Sequence, residues 1–119
     1  MAHGGFLRQH SDDPELASHI MHDYTKADLD PVTRDMLDFA SKLTRDPTSI
    51  RKTDVEGLRG LGLSDEQILS VVLITCVFNF MTRLADSLGV EVPSGRQEAH
   101  ERWLTGDVLS QDWLMKAKD

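Results

Sequence analysis

The chain is predicted to be all-α. Three observations carry this. Apolar residues recur at helical rather than strand spacing, Asp-Pro and Ser/Thr-x-x-Glu/Gln pairs stand where helices should begin, and glycines stand where they should end. No stretch alternates apolar and polar residues, and internal repeats and low-complexity tracts are absent. The 119 residues suffice for one domain with a single core.

Residues 4–10 read as the end of a helix, with Phe6, Leu7 and Arg8 as helical material and no cap before them. Asp13-Pro14 starts a new helix: Asp13 is a capping residue, and Pro14 fits the first helical position, where no donor is needed. Leu16, Ala17, Ile20, Met21 and Tyr24 share one face of it. Asp30-Pro31 repeats the device, with Met36, Leu37, Phe39, Ala40 and Leu43 as the apolar stripe, and Asp46-Pro47 ends the helix. A short helix over 53–61 comes next, with Thr53 and Glu56 at capping-box spacing, Val55 and Leu58 inward and Gly62 as its left-handed stop.

Ser64 with Gln67 forms a second capping box. It opens the longest apolar run, which reaches about Leu88 and stops at Gly89. Further helices are predicted from Ser94 to Leu104 and from Asp107 to Lys116, with Trp103 and Trp113 as docking anchors. The apolar part of the central run, Ile68 to Met81, contains Ser70, Thr75 and Asn79 and reads as too short and too polar to span a membrane. A helix apolar nearly all round needs cover on most sides. Other copies of the chain are expected to supply part of it, because leaving Val72, Leu73, Val77 and Phe80 in water would be costly. A homo-oligomer is therefore expected.

Composition excludes several classes. A net charge of −7 and no basic cluster argue against nucleic acid, which is bound by displacing counterions with Lys and Arg. The helix-turn-helix-like arrangement around Gly62 does not reverse this, since its second helix opens with Asp65 and Glu66. The first residues show no charged segment preceding an apolar one, and a lone cysteine forms no intrachain disulfide. The expected setting is reducing and cytoplasmic, with no cofactor.

Candidate chemistry is sparse. Thr75, Cys76, Asn79, Thr82, Arg83 and Asp86 fall within one arc of the central helix. Either Arg83 and Asp86 form a surface ion pair, or Asn79, Arg83 and Asp86 wall a polar cavity, with Arg83 reaching an acid such as Asp38. Cys76, among Ile74, Val77 and Phe78, reads as a structural thiol that packs as a small hydrophobe. Glu15, His19 and His22 share a helix face, with His10 as a conceivable fourth metal ligand, but they read as solvated and no metal is predicted.

Three segments, LDFASKLTRDP (Leu37–Pro47), DVEGLRGLGLSDEQIL (Asp54–Leu69) and FNFMTRLADSLGVE (Phe78–Glu91), resemble the peroxidase-related branch of the alkylhydroperoxidase D-like family, within the carboxymuconolactone decarboxylase superfamily. The resemblance runs from about His3 to Val92. It implies a helical bundle that assembles into oligomers, with residues 1–92 as the core and 93–119 as a C-terminal helical extension. It also implies an antioxidant thiol oxidoreductase. Such proteins use a Cys-x-x-Cys pair, a histidine just after it and an upstream glutamate. One thiol is activated at a helix start, the second closes the disulfide after peroxide attack, and the histidine moves protons. HGGFLR (His3–Arg8) resembles the family segment on the C-terminal side of that pair, which places His3 at the family's catalytic histidine. The pair and the glutamate would lie before Met1, so peroxidase chemistry is expected to be impaired. The alternative is a non-catalytic helical scaffold or a binder of small apolar ligands. The expected partners are other copies of the chain and a small peroxide or apolar molecule.

Overall fold

The computed structural model describes residues 7, 9–13 and 16–91, with Ser18 and His22 described as backbone alone. The described residues contain helices and turns and no strand, as the sequence predicts. Leu7, Gln9 and His10 are helical, in keeping with a helix ending there. The predicted helices beyond residue 91, the C-terminal extension and both tryptophans lie outside the described residues.

Helix α1 is Leu16–Asp23 and continues into a 3-10 turn, Tyr24–Lys26, capped by Asp23, whose carboxylate accepts the Thr25 N–H at 3.1 Å. Ala17 and Ala27 are buried, and Leu16, Ile20, Met21 and Tyr24 are half-buried, so the predicted face is the sheltered one. Pro14 and Glu15 lie outside the described residues, and with them the predicted Asp-Pro start of this helix.

Residues Asp28–Val90 form a second compact unit. Its helices are α2 (Pro31–Arg45), α3 (Lys52–Gly60) and α4 (Asp65–Ser87). The start of α2 is dictated locally. Asp30 accepts the Thr33 N–H at 3.0 Å and the Thr33 hydroxyl at 2.6 Å, while Pro31 fixes the first helical φ without wasting a donor. Arg45 is the last helical residue, and Pro47 then opens a 3-10 turn, Pro47–Ser49.

The start of α3 corrects the sequence reading. Thr53 and Glu56 do not cap it. The helix begins one residue earlier, at Lys52, and Asp54 in its first turn accepts the Arg51 N–H at 2.7 Å. A carboxylate in the first turn also meets the positive end of the helix dipole. Lys42 of α2 holds the same carboxylate from the other side, its Nζ 2.8 Å from both oxygens.

The turn into α4 agrees with prediction. Gly62 has φ +95°, and behind it Leu63 N–H reaches back to the Leu58 carbonyl at 3.3 Å. Ser64 Oγ accepts the Gln67 N–H at 3.2 Å, and Gln67 Oε1 accepts the Ser64 N–H at 2.8 Å, completing the capping box. Arg59 Nε donates to Asp65 at 2.7 Å across this turn. At its far end α4 stops on Gly89, with φ +63°, and Val90 N–H closes on the Ala85 carbonyl at 2.9 Å.

Phe39, Leu58, Leu63 and Ile68 form the buried cluster where α2, α3 and α4 meet, with Val32, Met36, Leu43, Ile50, Val55, Leu61, Val71 and Val72 packed around it. Each helix contributes one apolar stripe, so helical spacing places this core correctly. It does not place the rest of α4. The composition of that helix predicts burial on most sides, yet Leu69, Leu73, Ile74, Val77, Phe80, Met81 and Leu84 are each at least 42% exposed. Within this unit α2 and α3 offer one surface, and a cylinder lying on one surface keeps its opposite side uncovered by them.

Candidate functional site

The polar arc of α4 meets the last turn of α2. Asn79 Nδ2 donates to Thr44 Oγ1 at 3.0 Å. The Arg83 guanidinium donates to the Asn79 carbonyl at 3.1 Å and to the Thr44 carbonyl at 3.4 Å. Thr44 lies in the last turn of α2, where carbonyls lack partners within the helix. A cation there also complements the negative end of the α2 dipole. Asn79 and Arg83 thus tie the end of one helix to the flank of another.

Among the described ion pairs none joins Arg83 to Asp86; the Arg83 guanidinium is directed instead to the Asn79 and Thr44 carbonyls. Asp86 contributes through its backbone, accepting the Gly89 N–H at 3.2 Å in the α4 stop. Thr75 and Thr82 belong to the same arc but bond within their own helix, to the carbonyls of Val71 at 2.7 Å and Phe78 at 2.9 Å. That back-bonding is how hydroxyls sit in an apolar helix without an outside partner.

Two of the open grooves of this unit are lined by described residues, and Asn79, Arg83 and Asp86 line neither of these two. One, of about 280 Å³, runs between α2 and α3 and is lined by Asp35, Asp38, Phe39, Lys42 and Asp54. The other, of about 330 Å³, is lined by Val32, Met36, Leu61, Leu63, Gln67 and Ser70. The first holds the Lys42–Asp54 pair. The Lys42 ammonium hydrogen-bonds the Asp54 carboxyl and, with the Arg51 N–H, holds it below the usual carboxylate range. Sequence reasoning misses Lys42 and Thr44 as partners. Each lies a helix away from the residue it bonds, and only chain folding brings them together.

Cys76 is exposed, between the exposed Ile74 and Val77, so the apolar packing expected of it is not supplied by the described residues. His3 and Glu15 lie outside the described residues, as does the side chain of His22, whereas His10 and His19 are exposed. Among the described residues, no three His, Cys, Asp or Glu side chains gather where a metal ion would be held.

The helix bearing Cys76 also revises the argument from length. The apolar run of the sequence spans Ile68 to Met81, whereas α4 is a continuous 23-residue helix, about 34 Å long. By length and composition alone it is sufficient to cross a membrane. Its packing on α2 and α3 along the Ile68, Val71 and Val72 side leaves only the opposite side for any other surroundings.

The chain resembles, over part of their length, two solved peroxidase-related proteins, one of them described as an alkylhydroperoxidase core. One, from Silicibacter sp. TM1040, is 37% identical with a TM-score of 0.73, over 79% of this chain and 49% of that one. The other, from Ralstonia eutropha JMP134 and described as an alkylhydroperoxidase AhpD core, is 33% identical with a TM-score of 0.70, over 87% of this chain and 52% of that one. The chain thus spans about half the length of the solved proteins it matches, and over that half it is similar to them in both sequence and fold. No protein-family model matches the chain, and no curated protein does.

Proposed function

We propose that this chain is a peroxidase-related, alkylhydroperoxidase-like protein whose own residues supply helical scaffold and self-association rather than a two-thiol peroxide cycle. The observation that carries the reading is the sequence and fold match to two peroxidase-related proteins over most of this chain. The chemistry rests on the thiol count. Reducing a peroxide with a resolving disulfide oxidises one thiolate to a sulfenic acid, and a second thiol then expels water from it. These 119 residues hold one cysteine, Cys76, in the middle of α4. It is far from a helix N-terminus, and the α4 residues within one turn of it carry no cation, so it lacks the features that mark reactive thiols.

Self-association belongs to the same proposal, because the exposed apolar side of α4 is costly in water. Membrane and nucleic acid are not part of it. The test is turnover of hydrogen peroxide and of an organic hydroperoxide with a dithiol reductant, comparing wild type with Cys76→Ser. No turnover above background in either protein is expected. Turnover in wild type that disappears in Cys76→Ser would overturn the scaffold reading and make Cys76 a peroxidatic thiol.

A further inference from the structure

We draw no further inference here: the strongest candidate, the groove between α2 and α3 lined by Asp35, Asp38, Lys42 and Asp54, carries none, because its Lys42–Asp54 pair already fastens the start of α3 to α2 and nothing in the structure shows what the rest of its acidic rim would hold.

Discussion

Leu58→Ala tests whether the cluster between α2, α3 and α4 holds the second unit together. Leu58 is 2% exposed and lies against Phe39, Leu63 and Ile68, each no more than 8% exposed. Truncation removes its buried methyl and methylene groups and leaves a cavity that three helices cannot readily close. Core Leu→Ala changes of this kind cost about 3–5 kcal/mol. A unit of roughly 60 residues has only about 3–9 kcal/mol in total, so the change removes a third of the stability or more. At about 4–8 °C per kcal/mol, the midpoint falls by at least about 12 °C. The assay is thermal unfolding of the full chain by circular dichroism at fixed protein concentration. Leu73→Ala, at a residue 53% exposed, is the companion. Within one copy it removes little burial, so its effect appears only as a shift that depends on protein concentration. A loss under about 1 kcal/mol for Leu58→Ala would refute this placement of the core.

Three further outcomes are expected. Arg83→Ala costs about 1 kcal/mol or less in thermal unfolding, since its hydrogen bonds to Asn79 and Thr44 are exposed; a loss of several kcal/mol would mean a buried network. Ser64→Ala costs about 1 kcal/mol through the lost α4 cap, read in the same assay, and no loss would contradict the capping box. The carboxyl of Asp54 lies below its ordinary value because Lys42 and the Arg51 N–H favour the charged form; its stabilisation is therefore fully present above the unfolded value near 3.9 and is lost as pH falls through the lower folded value. Asp54→Asn should flatten that acid limb in urea unfolding from pH 5 to 2, and an unchanged limb would remove Asp54 from the account.

Local signals in this sequence are legible and distant ones are not, for a physical reason. Asp30, Pro31, Gly62, Ser64, Gln67 and Gly89 act on their own backbone within a few residues, so their types and spacing suffice to place helix ends. Thr53 misleads because two carboxylates, Asp54 and Glu56, stand within reach of one helix start, and Lys42 decides between them from twelve residues away. Asn79 and Arg83 stand out as polar residues in an apolar helix, and the three segments that carry the family resemblance lead to the fold found in the solved relatives. Their partner Thr44 is not legible, since nothing in the local pattern of α2 shows which residue of another helix will meet its last carbonyls. The exposure of Cys76 is hidden too, because apolar neighbours in sequence need not be apolar neighbours in space.

The central helix inverts the usual amphipathic arrangement. A surface helix normally turns its apolar stripe inward and its polar residues to water. Here Ile68, Val71 and Val72 do face inward, but so do Thr75, partly buried, and Asn79, bound to Thr44, while Leu73, Val77, Phe80 and Leu84 face out. Polar residues are tolerated on the inner side because each has a partner, in α4's own backbone or at the end of α2. Apolar residues on the outer side have no such local remedy, since only removal from water relieves them. The two sides therefore answer to different demands. The inner side fixes where α4 lies on its own chain, and the outer side requires a surface the described residues do not contain. Substitutions should divide accordingly: changes at Ile68 alter unfolding of each copy at any concentration, whereas changes at Val77 or Leu84 alter assembly.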